Sequence, residues 1–378
     1  MDASVESSPA FAEMSVGVHR LTLLRDGEQA FPAMLAAIAG ARRTVCLETY
    51  IFRDDRTGER FGAALAERAG AGVEVNLLYD AWGSSVSSSF LQRLRDAGVR
   101  TLAFRPIAFS APFERVARRD HRKALIVDGY VAFTGGLNIS DDYAPLAQGG
   151  GDWRDTHLRL EGPAAAELEY FFLRTWRRAG GAELDATRYA REGRRPDPLV
   201  RIVSSDFRRR RRAVTNEYRI AIERAHSRIF LTSAYFLPPL RLIHALSGAA
   251  RRGVDVRIMV AGTTDVPAVL FASRMIYGHL LAAGVRMFEW RGRVLHAKTA
   301  VIDGRWSTVG SSNLDAQSLR QNLEANAVIE HEDFAGAMER MFVEDLRHCE
   351  EITADLWHKR SWLERAASWT AYLARDWL

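Results

Sequence analysis

The sequence contains very little lysine. Of its 378 residues 52 are basic, yet lysine occurs only at Lys123, Lys298 and Lys359, and every other basic residue is arginine. Arginine serves wherever positive charge alone is needed, whereas lysine offers a compact ammonium group. The positions that keep lysine are therefore candidates for a role that a guanidinium cannot fill.

Cysteine and long apolar runs are also scarce. Cys46 and Cys349 are far apart and form neither a metal-ligand pattern nor a disulfide pattern, which favours a reducing compartment. No stretch approaches the roughly 18 to 20 apolar residues that span a bilayer. The N-terminus lacks the layout of a signal peptide. We therefore expect a protein that is soluble or lies on a membrane without crossing it.

Length and charge limit the classes of protein that remain. A chain of 378 residues is expected to form one large or two ordinary domains. Hydrophobic residues make up 47% and charged residues 26%, which allows a sizeable core and argues against wholesale disorder. The net charge of +5 suits an anionic partner, either a phospholipid surface or nucleic acid, and does not choose between them.

The chain repeats its own pattern once, at a spacing that indicates two similar domains and not a short-repeat array. Each half shows helix, strand, helix and strand in that order. In the first half these are Ala30–Ala41, Thr44–Phe52, Glu59–Ala71 and Val73–Tyr79. In the second half they are Asn216–Ala225, Arg228–Ala234, Leu240–Arg252 and Val254–Val260. The alternation predicts an α/β fold whose strands are largely buried.

A segment with little apolar periodicity separates the two halves. Ala179–Pro198 mixes Gly, Arg and Pro, which is typical of a connection. We therefore predict a first half at residues 1–178, a linker at 179–199, a second half at 200–350 and a C-terminal tail at 351–378.

Two of the three lysines belong to the same motif, His-x-Lys-x4-Asp-Gly, which occurs once in each half. The two copies are His121, Lys123 and Asp128, and His296, Lys298 and Asp303. Chance predicts on the order of 0.005 copies of this pattern in a chain of this composition. Two copies at equivalent places in the repeat therefore indicate a shared function, and these six residues are the predicted catalytic set.

The spacing of the motif suits chemistry on phosphate. On an extended strand, residues i and i+2 face the same side, so the histidine and the lysine of each copy lie together. Two such units provide two cations that neutralise phosphate oxygens, one histidine that attacks phosphorus and another that transfers a proton. The aspartate before each glycine is expected to anchor the turn after the strand more than to touch substrate.

Polar residues downstream of each motif complete the predicted site. Asn138 and Asn313 follow small residues, and their amides are neutral donors to phosphate oxygens. A catalytic histidine needs an acceptor on its second ring nitrogen. Asp155 and Glu324 lie at similar distances downstream of the motif in their own half, so they are the candidates for orienting the histidines.

These residues resemble the phospholipase D superfamily, which is defined by a pair of such motifs. Within it the chain is most similar to the bacterial cardiolipin synthases, in the form without N-terminal transmembrane helices. The matching stretches include Leu47-Glu48-Thr49-Tyr50, His121–Asn138, Ala234-Tyr235-Phe236, Val309–Asp315 and Asn322–Asn326. Whether Glu48 and Tyr50 contact substrate or only pack beside it stays open.

The resemblance implies a fold of two α/β halves, each a mostly buried mixed sheet flanked by helices. The halves are related by a pseudo-two-fold axis and share one active site at their interface, so that no oligomer is required. It also implies transfer without metal or cofactor. His121 would form a phosphohistidine with phosphatidylglycerol, glycerol would leave, and His296 would act as acid and base while a second phospholipid accepts the phosphatidyl group.

Two apolar segments are candidates for membrane contact. In the tail, Asp355–Leu378, one helical face is rich in tryptophan and leucine, although the same helix could instead pack on the catalytic body. That face consists of Trp362, Ala366, Trp369, Leu373 and Trp377. The second candidate is the loop Phe104–Phe113. We expect a peripheral protein on the cytoplasmic face of the bacterial inner membrane.

Other members of the superfamily provide the alternative functions. A phospholipase D-type hydrolase would transfer the phosphatidyl group to water. A nuclease or phosphodiesterase would use the net positive charge and the basic run Arg208–Arg212, although that run is more simply a solvated face. The apolar tail and loop suit lipid better than nucleic acid, so we do not expect a nucleic-acid partner.

Overall fold

The computed structural model describes residues 11–106, 118–189, 197–205, 212–264 and 266–373. Most of the candidate loop at 104–113 lies outside these ranges, as do most of the basic run at 208–212 and Trp377 of the tail. None of the described helices combines the length and the apolar character needed to cross a bilayer.

An eight-stranded mixed sheet forms the first half. Its strands are β1 (Met14–Val16), β2 (His19–Arg25), β3 (Thr44–Thr49), β4 (Glu74–Asp80), β5 (Arg100–Phe104), β6 (Ala124–Val127), β7 (Val131–Gly135) and β8 (Thr156–Glu161). They are ordered β1-β2-β8-β7-β6-β3-β4-β5. The pairs β3–β4 and β4–β5 are parallel, and the other pairs are antiparallel.

A second eight-stranded mixed sheet forms the other half. Its strands are β9 (Val200–Ser204), β10 (Arg228–Ser233), β11 (Asp255–Ala261), β12 (Arg286–Trp290), β13 (Lys298–Ile302), β14 (Trp306–Gly310), β15 (Ala325–Glu330) and β16 (Cys349–Ile352). They are ordered β16-β12-β11-β10-β13-β14-β15-β9. Here β10–β11 and β11–β12 are parallel.

The two sheets repeat one topology. Strands β3 to β8 of the first half correspond in order and direction to β10 to β15 of the second, and β2 and β9 pair with equivalent neighbours. The predicted α/β fold with two similar halves is confirmed. All six residues of β3 are buried, which explains why its sequence is a continuous apolar run and not an alternating one.

Eleven α-helices flank the sheets in the described part of the chain. They are α1 (Asp26–Ala39), α2 (Arg56–Gly70), α3 (Ser88–Asp96), α4 (Pro163–Arg178), α5 (Ala213–Arg224), α6 (Leu240–Arg251), α7 (Pro267–Ala282), α8 (Ala316–Arg320), α9 (Glu332–Asp345), α10 (Ala354–His358) and α11 (Trp362–Leu373). Helices α1 to α3 cover one face of the first sheet, and α5 to α7 cover the corresponding face of the second.

The inner faces of the two halves share a hydrophobic core. One cluster contains Leu158 and Leu160 of the first sheet together with Ala327 and Ile329 of the second, and side chains of α4 and α9 complete it. The strands fall within residues 14–161 and 200–352, and β16 extends two residues into the predicted tail. Because both halves bury apolar surface in this cluster, their relative position is set by packing as well as by polar contacts.

A buried arginine network also joins the halves. Arg154, in the first half, is 1% exposed and forms an ion pair of 2.6 Å with Asp345 at the end of α9, and one of 3.3 Å with Asp26. Arg25 reaches the same Asp345 at 2.6 Å. Burial lowers the pKa of Arg154, but the charges of Asp345 and Asp26 outweigh it and raise that pKa. Removing one partner would leave an uncompensated buried charge.

The aspartate of each motif anchors the turn that follows its strand. Asp128 has φ 54° and Asp303 has φ 53°, in the left-handed region where Asp is among the few tolerated residues. The Asp303 carboxylate accepts backbone hydrogen bonds from His226, Ser227 and Arg228 at 2.8 to 2.9 Å. That of Asp128 accepts equivalent bonds from residues 42, 43 and 44.

A catalytic role for Asp128 and Asp303 stays a prediction, and the contacts that the structure shows for them are those of turn anchors. Both residues follow the far end of their strands, away from the motif histidine and lysine, which precede or begin the same strands. Their carboxylates accept hydrogen bonds from backbone amides of the residues that lead into a neighbouring strand. The expectation that they hold the turn is therefore the one that the structure supports.

We expect Asp303→Ala to lower the free energy of unfolding by about 2 to 4 kcal/mol, because hydrogen bonds to a charged group contribute about 1.5 to 3 kcal/mol and water replaces part of them. Burial raises the pKa of Asp303, but the three amides outweigh it and lower that pKa. The difference should therefore be present above the ordinary pKa of 3.8 and be lost as the pH falls through the lowered value.

Chemical denaturation at several pH values measures this effect. Asp303→Asn is the matched control, because asparagine tolerates a positive φ and keeps one acceptor; its loss should be smaller. A variant of unchanged stability that had lost turnover would instead place Asp303 in the chemistry.

Candidate active site

The two motifs meet where the halves join. His121 and Lys123 lie immediately before β6, and His296 and Lys298 lie at the start of β13, the equivalent strand. The imidazoles are largely enclosed, with exposures of 8% for His121 and 5% for His296. Burial lowers the pKa of His121, and the charges of Lys123, Lys298 and His296 lower it further.

Each histidine is oriented by a carboxylate of the opposite half. His121 Nδ1 lies 2.9 Å from Glu324 Oε1, and His296 Nδ1 lies 2.7 Å from Asp155 Oδ2. Both predicted orienting residues thus contact a motif histidine, but the pairs are crossed between the halves, whereas each had been counted from the motif of its own half. Because Nδ1 is occupied, Nε2 is the ring nitrogen available for chemistry.

The backbone follows the same crossed arrangement. The His121 amide donates to the Leu323 carbonyl at 3.0 Å, and the His296 amide donates to the Arg154 carbonyl at 2.7 Å. Leu323 and Arg154 directly precede the two orienting carboxylates in sequence. Docking of the halves therefore fixes both the histidine backbones and the groups that orient their rings.

The motif lysines are buried beside the histidines, at 2% exposure for Lys123 and 1% for Lys298. Lys123 Nζ donates to the His121 carbonyl at 2.7 Å, and Lys298 Nζ donates to the His296 carbonyl. Burial lowers the pKa of Lys123 to about 7, although the charge of Glu324 opposes the shift. A bound anion would favour the charged form of both lysines.

The two carboxylates differ in their second partner. The Thr156 backbone amide, which can only donate, lies 2.7 Å from Asp155 Oδ1. Glu324 Oε2 instead contacts the hydroxyl of Ser311, which can either donate or accept. Burial raises the pKa of both groups, but for Asp155 the charges of His296 and Lys298 outweigh burial and the pKa is lowered.

For Glu324 burial prevails. It raises the pKa of this carboxyl to about 8, although the charge of Lys123 and the Ser311 hydrogen bond oppose it. At neutral pH the structure therefore holds an ionised Asp155 beside His296 and a largely protonated Glu324 beside His121. The pKa values of both histidines are lowered, chiefly by burial and then by the neighbouring lysines.

A glycine-to-serine difference between the halves underlies this asymmetry. Gly136 and Ser311 occupy equivalent positions after the two motifs. A Cβ atom at Gly136 would lie 2.1 Å from Asp155 Oδ1, so only glycine fits against the shorter carboxylate. The second half has room for a side chain there, and the hydroxyl of Ser311 uses it to reach Glu324.

Three aromatic residues surround the histidines, and the sequence motifs did not identify their roles. The Tyr143 hydroxyl lies 3.2 Å from His296 Nδ1, and the Trp153 ring lies 5.7 Å from that imidazole. The Tyr50 ring lies 4.8 Å from the His121 ring and 5.1 Å from Lys123 Nζ. Tyr50 therefore lies beside the histidine and the lysine of the first motif, and its contact with substrate stays a prediction.

The other predicted residues, Asn138, Asn313 and Glu48, differ in the hydrogen bonds and ion pairs that they form. Asn138 donates to the Tyr143 hydroxyl at 2.7 Å and accepts from the Ile51 amide at 3.1 Å, so its side chain is used within the protein. Asn313 Oδ1 has no hydrogen-bond partner in the described part of the chain. Glu48 lies 3.4 Å from Arg122 and not beside a histidine. Phosphate binding stays a prediction for both asparagines, and Asn313 is the freer of the two.

Metal ligands were not predicted for this site. Within the described ranges, no group of three or more His, Cys, Asp or Glu side chains is placed to hold a metal ion. The arrangement present provides two imidazole nitrogens, two ammonium groups and two carboxyls of different protonation. These groups suffice for nucleophilic attack on a phosphodiester with proton transfer to its leaving group.

Comparison with known sequences places these motifs in a family. The family described as cardiolipin synthase, PLD-like domain, matches residues 34–148 and 218–346, so it covers both motifs. Cardiolipin synthase B of Shigella flexneri is 35% identical over 381 aligned residues, which cover 94% of this chain and 87% of that protein. A cardiolipin synthase of Geobacillus kaustophilus is 33% identical, over 93% of this chain and 72% of its own length.

Solved structures show the same fold at low sequence identity. The phosphatidylserine synthase of Haemophilus influenzae superposes with a TM-score of 0.75 at 13% identity, covering 98% of this chain and 97% of the other. The polyphosphate kinase of Porphyromonas gingivalis gives a TM-score of 0.61 at 15% identity, over 94% of this chain and 53% of its own. At these identities the comparison bears on the fold alone.

We expect Tyr143→Phe to lower turnover about 3- to 10-fold, because it removes one hydrogen bond of about 0.5 to 1.5 kcal/mol beside His296. Tyr130→Phe is the matched control, since Tyr130 is 51% exposed and lies on the turn at the far end of the sheet. Steady-state rates of both variants decide the matter. Equal rates would show that the Tyr143 hydroxyl does not support the histidine.

Proposed function

The chain belongs to the cardiolipin synthase family of phospholipase D-like proteins, and from this we propose that it transfers a phosphatidyl group from phosphatidylglycerol to the hydroxyl of a second phospholipid. The observation that carries the proposal is the pair of motif histidines facing one enclosed site, each oriented through Nδ1 by a carboxylate. Two basic nitrogens with unequal carboxyl partners suit a two-step displacement at phosphorus.

In the first step, Nε2 of His121 attacks the phosphorus of phosphatidylglycerol. The new N–P bond forms as the bond from phosphorus to the glycerol oxygen breaks, and His296 gives its proton to that oxygen so that glycerol leaves. In the second step, the acceptor hydroxyl attacks phosphorus, its proton passes to His296, and the N–P bond breaks. No net proton or electron is consumed, so no cofactor is required.

The difference between the two carboxyls supports this division of roles. An ionised Asp155 stabilises the imidazolium that His296 must form whenever it holds the proton. A largely protonated Glu324 can still orient His121 through Oε1, but it does not raise the affinity of that ring for a proton. His121 therefore stays neutral and nucleophilic, while His296 takes and returns the proton. Burial lowers the pKa of His296 in the free protein, and a bound phosphodiester anion opposes this shift and raises that pKa.

The lysines are proposed to neutralise the phosphate oxygens from opposite sides. Both are buried within hydrogen-bonding distance of their own histidine's carbonyl, so the space around each Nζ is small. A guanidinium is planar and larger than an ammonium. This gives a physical reason for the retention of lysine at these two positions in an arginine-rich chain; Lys359 lies exposed in the tail and has no comparable role.

The acceptor and the location of the reaction follow from the lipid substrates. We propose that the protein acts peripherally at the cytoplasmic face of the bacterial inner membrane. A water molecule in place of the acceptor hydroxyl would give phosphatidic acid, so the same site could act as a hydrolase if water entered freely. Lipid substrates are favoured over nucleic acid because relatives that align with 93% and 94% of this chain are named cardiolipin synthase and cardiolipin synthase B.

Purified protein with phosphatidylglycerol vesicles tests the proposed reaction. We expect cardiolipin and free glycerol in equal amounts, formed also in the presence of a chelator, and no product from His121→Ala or His296→Ala. Phosphatidic acid as the main product would indicate a hydrolase, and cleavage of DNA in place of lipid would indicate a nuclease. Either result would contradict the proposed transfer.

Lysine-to-arginine variants test the explanation for the rare lysines. We expect Lys123→Arg and Lys298→Arg each to lose most activity while the melting temperature stays close to that of the native chain. Lys359→Arg is the matched control, because it makes the same substitution at an exposed position. Near-normal turnover of the first two variants would refute the argument from the shape of the cation.

Carboxyl-to-amide variants test the division of roles between the halves. We expect Asp155→Asn to lower turnover about 10³- to 10⁴-fold, since loss of a negative charge beside the proton-transferring histidine has an effect of that order. Glu324→Gln should lose less than about tenfold, because the carboxyl that it replaces is already largely neutral. A larger loss in Glu324→Gln would reverse the assignment of the two histidines, and equal losses would contradict the division of roles.

A further inference from the structure

The last helix, α11, contacts the body of the protein with its small and polar side chains. Ser368 is fully buried against the second half, and Tyr372 packs on the core beneath α6 and α7. Helix α11 lies along α7. The tail therefore packs on the catalytic body, but it does so without burying its largest apolar residues.

Those apolar residues point to solvent. The exposed fractions are 74% for Trp362, 61% for Leu363, 57% for Trp369 and 61% for Leu373. Trp362, Trp369 and Leu373 are spaced at i, i+7 and i+11, so they lie on one side of the helix. Isolated exposed hydrophobic side chains are ordinary, but an apolar stripe on one helix indicates an interaction surface.

A cleft lies beside α11 and is lined in part by Tyr372 of that helix. Its volume is about 210 Å³, and its walls include Leu237, Leu240, Ala316, Arg320 and Tyr372. Leu240 is itself 60% exposed at the start of α6. The cleft thus combines aliphatic walls with one basic side chain.

Residues in the walls of the cleft lie next to residues of the predicted active site. The Leu237 amide donates to the Leu314 carbonyl at 2.8 Å, and Leu314 directly follows Asn313. Ala316 begins α8 two residues later. A molecule lying in the cleft would therefore have one end near Asn313, the predicted phosphate-binding residue of the second half.

Two basic side chains at or next to the cleft lack an acidic partner. Arg320 lines the cleft and Arg241 follows Leu240 of its wall, and neither forms an ion pair with a side chain in the described part of the chain. Tryptophan and leucine flanked by unpaired arginine is the composition of surfaces that rest at the boundary between headgroups and acyl chains of an anionic bilayer.

We propose that the exposed face of α11, together with Leu240 at the start of α6, is the surface with which the protein docks on an anionic phospholipid bilayer, and that the cleft beside it receives an acyl chain of the bound lipid while Arg320 contacts the phosphate. This inference rests on the proposed lipid substrate. It assigns to the tail a function beyond packing, namely to set the active site at the depth of the lipid headgroups.

The test uses the full chain carrying Trp362→Glu and Trp369→Glu together. Both side chains are exposed, so the substitutions should leave the fold intact. We expect binding to phosphatidylglycerol vesicles, measured by sedimentation, to weaken at least tenfold, and transfer between vesicle lipids to fall in parallel. Hydrolysis of a water-soluble chromogenic phosphodiester should stay unchanged, since it does not require docking.

A double variant of equal charge is the control. Val18→Glu with Tyr130→Glu places two carboxylates at exposed apolar positions, 68% and 51% exposed, at the far end of the first sheet. It should bind vesicles as the native chain does. Equal vesicle binding by the two double variants, or no binding by the native chain, would overturn the proposal.

The cleft has a separate test. Arg320→Gln should raise the KM for vesicle phosphatidylglycerol, and Arg251→Gln, on the exposed end of α6, should leave that KM unchanged. An unchanged KM in Arg320→Gln would remove the cleft from the proposal.

Two further readouts separate this inference from its alternatives. If the native chain is a dimer in solution and the tryptophan double variant a monomer, the face is an interface between copies and the inference is wrong. Because docking is read by sedimentation and transfer by product analysis, vesicle binding without formation of cardiolipin would contradict the proposed function and leave the docking surface standing.

Discussion

Each motif histidine is held by a carboxyl group from the opposite half of the chain, His121 by Glu324 at 2.9 Å and His296 by Asp155 at 2.7 Å. Neither half could keep this arrangement alone, because separation would leave a buried carboxyl and a buried imidazole without their partners. The shared core and the Arg154 network hold the halves in the one position that satisfies both pairs. Assembly of the halves and assembly of the site are therefore the same event.

The two halves have nearly the same fold, but the surroundings of their motif histidines differ. The strands that carry the motifs are equivalent, but the surroundings of the two carboxyl groups differ. Gly136 leaves room for an aspartate whose second oxygen accepts a hydrogen bond from a backbone amide, whereas the hydroxyl of Ser311, which can donate or accept, contacts a longer glutamate. These contacts keep one carboxyl ionised and allow the other to hold a proton. The repeat thus places two histidines in similar positions, and the differences in their surroundings are the basis of the different roles proposed for them.

Much of this could be predicted from the sequence, because the relevant signals are local. The strand and helix patterns of both halves and the repeated motif depend on short spacings, and the observed strands β3 and β10 begin at the predicted residues, Thr44 and Arg228. The crossed pairing could not be predicted, since counting along the chain links Asp155 to the motif of its own half. Nor could the role of Tyr143, whose position beside His296 exists only after the halves dock.

The central claim is that His121 forms the covalent intermediate while His296 moves the proton. It is tested most directly by rapid mixing of the native chain with vesicles of phosphatidylglycerol labelled at phosphorus, followed by an alkaline quench and peptide mapping. We predict a label on His121 that is stable in alkali and lost in acid, as expected for an N–P bond. Label on His296, or turnover without any labelled histidine, would contradict the account.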